Sequence, residues 1–144
     1  MLTPLYRLAD AVRHRSRQRL WHRDLATGRR GEDLAHRYLR SQGFVVVARN
    51  LKSSPSSPEV DIVAWEGEAL VFVEVKTRHS DEYGAPDRAI DEFKRFQMFR
   101  AARDYVCRSG TEWSRVRFDV VGVVLEKPPR FSHFRDVCPT TTAA

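Results

Sequence analysis

The chain has 144 residues, 42% of them hydrophobic and 31% charged, with a formal net charge of +6. That length builds one domain with a real core without disulfide staples, and the composition excludes wholesale disorder and collagen-like, repeat or mucin-like chains. No apolar run approaches the roughly 18 residues of a spanning helix, so no membrane partner is expected.

The charge is concentrated at the N-terminus. Residues 1–30 carry eight arginines (7, 13, 15, 17, 19, 23, 29 and 30) against Asp10 and Asp24, whereas the rest balances 17 basic against 17 acidic residues. This divides the chain into a basic arm over 1–26, a domain over 27–138 and a frayed tail over 139–144. The arm suits a phosphate backbone or an anionic surface, with a solvated helix as the plain alternative. Arg29 and Arg30, just past the arm, are candidate contacts to nucleic acid. A transit peptide would also be Arg-rich, but Asp10, Asp24 and the scarcity of serine count against one. No long apolar run follows the first basic residues, so no secretory pattern is read.

Within the arm, residues 5–22 predict a helix with little apolar surface. A second helix is expected over 27–42, with Thr27 as N-cap, Gly43 as stop, and Ala35, Tyr38 and Leu39 at helical spacing. Residues 44–48 predict a strand and the Ser- and Pro-rich 52–58 a loop. Strands over 59–65 and 70–76, separated by a short Glu-Gly-Glu turn, predict a hairpin. A polar loop over 77–86 leads to a helix over 87–108, whose buried stripe is expected at Ile90, Phe93, Phe96, Phe99, Ala102 and Val106, with Gly110 as its stop. Residues 116–125 are apolar on both faces, as in a central strand, and 131–137 predict an edge strand. The helical crossover makes the strands around Lys76 and Val116 parallel neighbours. The fold class is therefore α/β, a mixed sheet flanked by helices.

Two cysteines far apart, Cys107 and Cys138, form neither a metal motif nor a disulfide framework and read as reduced thiols of a cytoplasmic protein. The five histidines show no metal-ligand spacing.

The chemistry gathers on the hairpin. If Trp65 pairs with Leu70, Asp61 falls opposite Glu74 and Glu59 opposite Lys76. Like charges directly opposite on paired strands are unfavourable, by roughly 3 kcal/mol at about 5 Å and an effective dielectric of about 20. A divalent cation between the carboxylates turns that repulsion into attraction, and hard oxygen ligands suit Mg²⁺ or Mn²⁺. Lys76 stands beside them, able to stabilise a phosphorane-like charge or orient a water. The plain alternative is a surface face on which Lys76 pairs with Glu59 or Glu74. Glu32 lies on the Ala35–Leu39 stripe, so a third carboxylate is aimed at the sheet, at a cost unless it is paired or metal-linked; a dipole partner in the first helical turn is the alternative.

Asp61 followed, after twelve residues, by Glu74-Val75-Lys76 resembles the D…(D/E)-x-K signature of the restriction-endonuclease-like (PD-(D/E)XK) superfamily. More closely, the chain resembles the YraN-like bacterial family, itself similar to Holliday-junction resolvases. The matching pieces are Gly31-Glu32, Ala35, Tyr38-Leu39, Gly43-Phe44, Arg49-Asn50, residues 59–62, residues 71–78, Lys94 and residues 117–121. The resemblance implies a restriction-endonuclease-like αβββαβ core and a metal-dependent nuclease acting on DNA, perhaps branched or damaged, in a homodimeric assembly. It implies Asp61 and Glu74 as metal ligands, Lys76 as catalytic lysine and Glu32 as the acid completing the site. Lys94 and Arg78 become candidate contacts to nucleic acid, with a solvated side chain the alternative for Lys94. Asp119 has no assigned role and reads as a buried, hydrogen-bonded aspartate. Pro58 stands where the family usually has glycine, and the arm before Gly28 lies outside the resemblance.

Two other classes compete. A nucleic-acid-binding module with a vestigial site would bind with a steep salt dependence and cleave nothing. A retaining glycosidase would also need two acids about 5 Å apart, but the small size, the adjacent lysine and the missing sugar-stacking groove set it well behind.

Overall fold

A computed structural model describes residues 25–57, 59–80 and 87–139. The expected helix over 5–22, Pro58, residues 81–86 and most of the expected tail lie outside these residues. The chain divides between Arg30 and Gly31 into two units, and the sheet with everything packed on it belongs to the second.

The elements are α1 (Leu25–Ser41), β1 (Val45–Leu51), β2 (Val60–Glu66), β3 (Ala69–Arg78), α2 (Glu92–Ser109), a 3-10 turn (Trp113–Arg115), β4 (Val116–Val124) and β5 (Arg130–Phe134). The sheet has five strands in the order β1-β2-β3-β4-β5. Only β3 and β4, joined through α2, run parallel; the other pairs are antiparallel. The architecture is thus a mixed sheet with one helix against each face.

On one face Ala35, Leu39 and Phe44 pack against Ile62, Ala64, Val71, Val73, Val75, Val121 and Val123. On the other, Met98, Ala101, Ala102 and Val106 of α2 pack against Val63, Leu70, Phe72, Val116 and Phe118. Helix α1 closes at Gly43, whose φ of +91° only glycine adopts cheaply. Phe44 N–H donates to Leu39 O at 3.0 Å and Gly43 N–H to Arg40 O at 3.1 Å, which satisfies the end of the helix and turns the chain into β1.

Three expectations need correction. Thr27 lies inside α1, which already includes Leu25, so it is not the N-cap. Helix α2 starts later than expected because Asp91 caps it, accepting from Lys94 N–H at 2.7 Å. Its buried stripe is also rotated: Phe93 and Phe96 are 60% and 62% exposed. A run of three-residue steps drifts about 60° per step against the 3.6-residue helix, so Phe93 lies on the opposite side from Ala102. Of the expected stripe, Ile90, Phe99, Ala102 and Val106 do pack on the core; Met98, Ala101, Tyr105 and the inward-turned Lys94 take the place of Phe93 and Phe96.

Candidate active site

The hairpin register places the acids as expected. Ile62 pairs with Val73, Val63 with Phe72, and Trp65 with Leu70; Gly67 and Glu68 form the turn. One step further, Asp61 and Glu74 meet on the α2 face. Glu74 is 6% exposed. The Asp61 carboxylate is enclosed, its Oδ2 accepting from Val75 N–H at 2.7 Å. Burial, then the charge of Glu74, hold Asp61 well above the usual carboxylate range. Burial raises Glu74 as well, opposed by Lys94, by a hydrogen bond with Asp61 and by Lys76. Burial and the closeness of the two charges thus raise both carboxyls.

Lys94 is turned inward rather than solvated. Its Nζ donates to Glu59 O at 2.7 Å and lies 3.2 Å from Glu74 Oε2. Asp91 fixes the start of α2, and that fixes Lys94 on the face shared with Met98. Lys76 takes neither of its expected partners. Its ammonium is held by Asp87, ahead of α2, and this lowers the Asp87 carboxyl below its usual range. Glu59 instead pairs with Lys52 at 3.2 Å. Arg78 ends β3, half-buried, where its carbonyl accepts from Leu125 N–H at 2.8 Å.

Glu32 approaches from the α1 face. Gly31 lies so close to β3 that a Cβ there would stand 1.9 Å from Thr77 Oγ1. This contact seats α1 and delivers Glu32 to the sheet. Burial and the nearby Asp61 raise the Glu32 carboxyl to about 7, against the opposing pull of Arg49. Arg49 reaches Glu32 at 3.5 Å and Asp33 at 2.7 Å. It faces α1 because β1 bulges between Val46 and Ala48, which shifts the register so that both Val46 and Arg49 lie on that face.

Two participants escaped the sequence reading. Asn50 has φ +53°, a conformation asparagine tolerates better than most residues. With its amide nitrogen toward the acids, it lies 3.3 Å from Glu32 Oε2 and 3.2 Å from Glu59 Oε2, joining the two. The Arg49-Asn50 pair was visible, but nothing in the sequence announced the bulge that aims it. Asp87, in a polar stretch, gave no signal at all. Arg29 and Arg30 are exposed on the early turns of α1, in the first unit.

Asp119 is fully buried away from this cluster, as a structural aspartate should be. Arg117 grips it with two bonds of 2.9 Å, His133 Nε2 lies at 2.8 Å and Asp136 N–H at 3.1 Å. Burial raises its carboxyl, but these bonds outweigh burial and leave it below the usual range.

A family model, described as uncharacterised protein family UPF0102, matches residues 31–123. This span holds Glu32, Asp61, Glu74, Lys76 and Lys94. The chain belongs to this family. A UPF0102 protein of Solibacter usitatus is 50% identical over 135 residues, covering 94% of this chain and 98% of its own length. One from Rhodococcus jostii is 45% identical, covering 78% and 96%. One from Geobacter sulfurreducens is 41% identical, covering 78% and 88%. The matched span opens at Gly31, the glycine that seats α1 against Thr77.

No helix among the described residues is long and apolar enough to cross a membrane. Nor does any group of three or more His, Cys, Asp or Glu side chains among them converge as a metal cage. The converged acids are the pair Asp61 and Glu74. Glu74 Oε2 is buried with no well-directed hydrogen bond, only the Lys94 ammonium nearby. An under-satisfied anionic oxygen beside a second carboxylate fits a small hard cation, so the residues present are compatible with Mg²⁺ or Mn²⁺.

Proposed function

We propose that this protein is a metal-dependent nuclease of the restriction-endonuclease-like type, hydrolysing phosphodiester bonds in DNA. The observation that carries the reading is the buried Asp61–Glu74 pair, two carboxylates pressed together at a cost that folding alone does not require. A cation held by Asp61 and Glu74 would supply Lewis acidity and a more acidic water. The remaining work falls to the chain's own side chains. Glu32, with a carboxyl near 7, is poised to exchange a proton at neutral pH. Asn50 holds Glu32 and Glu59 in register. Lys76, parked on Asp87, is a mobile cation for the charge that develops on phosphorus. Water attacks phosphorus and the bond to the 3′ oxygen breaks, leaving 3′-hydroxyl and 5′-phosphate ends, as the superfamily resemblance implies.

A non-catalytic nucleic-acid-binding module is the second reading, favoured by Lys94, whose ammonium already neutralises part of the cluster. Single-stranded, duplex, flapped and four-way-junction DNA, with an RNA control, separate the two when incubated with Mg²⁺, Mn²⁺ or EDTA. The nuclease reading expects metal-dependent cleavage that Asp61→Asn abolishes by at least 100-fold. Cleavage unchanged in that variant overturns the site assignment; tight binding without cleavage under any metal moves the conclusion to the binding module.

A further inference from the structure

Between α1 and the edge strand β1 runs a cleft that the carboxylate site does not use. One part, about 450 Å³, is lined by His36, Arg40, Phe44, Val45 and Val46. The adjoining part, about 200 Å³, is lined by Asp33, His36, Arg37, Arg40 and Arg49. His36 and Arg40 line both, so the two parts adjoin.

We propose that this cleft is a track for the phosphate backbone of a nucleic-acid strand, gripped by Arg37 and Arg40, that leads past Arg49 to the carboxylate site at Glu32. The lining charge is the first argument. Its single acid, Asp33, is already neutralised by Arg49. Arg37 and Arg40 make no ion pair among the described residues, so their charges are available to an anion. The basicity of His36 is lowered by burial and then by Arg49 and Arg40, as expected inside a positive field. A helix-dipole role accounts for Arg40 in the last turn of α1 but not for Arg37 and Arg49.

Geometry is the second argument. Asp33, His36, Arg37 and Arg40 follow three- and four-residue steps and so share one helix face. From Asp33 to Arg40 the helix rises about 10 Å, long enough to meet more than one phosphate of a strand. Arg49 forms the junction, because it touches Glu32 at one end of the track and lines the cleft at the other. Its Nε is buried and lacks a partner in the protein.

The inference rests on the nuclease reading only for the choice of nucleic acid as ligand, and binding measured without metal keeps the two apart. Fluorescence anisotropy of the full chain with labelled single-stranded and duplex DNA, in EDTA across a salt series, compares Arg37→Glu/Arg40→Glu with Arg100→Glu/Arg108→Glu. The second pair makes the same charge change at exposed positions of α2. The cleft variant is expected to bind at least tenfold more weakly, and the α2 variant within threefold of the unaltered protein. Arg37→Ala/Arg40→Ala, which spares the fold a charge reversal, is expected to flatten the duplex salt slope by nearly two, as for two lost phosphate contacts. Equal weakening by both reversed pairs, or no weakening by the cleft variants, overturns the proposal. So does a cleft variant that changes only the sedimentation of the protein, since the cleft then seats a second copy. Loss of binding in the cleft variants with no cleavage by any protein leaves the track standing and removes the nuclease reading alone.

Discussion

At the scale of single residues, two aspartates on β2 and β4, the strands either side of β3, follow opposite rules. Asp119 is buried but answered on every side, by Arg117, His133 and Asp136 N–H. Asp119→Asn leaves Arg117 with only the Glu66 carboxylate at 2.9 Å, and a loss of at most about 3 kcal/mol in denaturant unfolding is expected. Its depressed carboxyl contributes stability above the unfolded value of 3.8, lost as the pH falls through the folded value. Acid unfolding of the Asn variant should therefore begin from a lower plateau and show a shallower fall. Asp61 is buried against another carboxylate, so its removal has the reverse sign. Asp61→Asn should raise or leave unchanged the melting temperature in EDTA while ending metal-dependent activity; a drop of several degrees would show that Asp61 is there to hold the fold.

At the scale of elements, the position of α1 depends on one atom that is absent. In an unobstructed helix interior, Gly→Ala stabilises by about 1 kcal/mol. At Gly31 the new methyl would meet Thr77 Oγ1 at 1.9 Å, so the sign reverses. Gly31→Ala is expected to destabilise by about 1–3 kcal/mol and to lower activity more than stability, because lifting α1 withdraws Glu32. Recovery in Gly31→Ala/Thr77→Gly would confirm the contact; an unaffected single variant would refute it. The elements also show where sequence reading stops. The hairpin register was legible because alternation and a short turn leave few alternatives, and Ala35 and Leu39 revealed the inner face of α1. The phase of α2 was not legible: its aromatic residues come at three-residue spacing, while small alanines and a lysine make the close approach. The bulge in β1 leaves no mark in a run of three valines, so the aim of Arg49 and Asn50 emerged only with the strand pairing.

At the scale of the molecule, the carboxylate cluster sets the response to pH. Glu32 is raised from 4.5 to about 7, so the folded protein retains a proton that the unfolded chain releases, and stability falls as the pH rises through that window. Asp61 and Glu74 are raised and act in the same direction. In EDTA the protein should melt lower at pH 8 than at pH 5, and Mg²⁺ should restore more stability at pH 8, where the acids are ready to bind it. A flat profile in EDTA would contradict this balance. Most of the molecule's plan was readable from patterning: the five-strand mixed sheet, the parallel β3–β4 pair and the meeting of Asp61 with Glu74. The pairing of the lysines was not, because it depends on Asp87 and on the cap at Asp91, which act across a loop rather than along a strand.

The proposed nuclease requires that Asp61 and Glu74 hold a cation. Calorimetric titration of Mn²⁺ into the unaltered and Asp61→Asn proteins at pH 7, in two buffers of different ionisation enthalpy, tests it most directly. Saturable binding that expels about one proton per ion, and that disappears in the variant, is the predicted result. No saturable binding, or the same binding in both proteins, would contradict it.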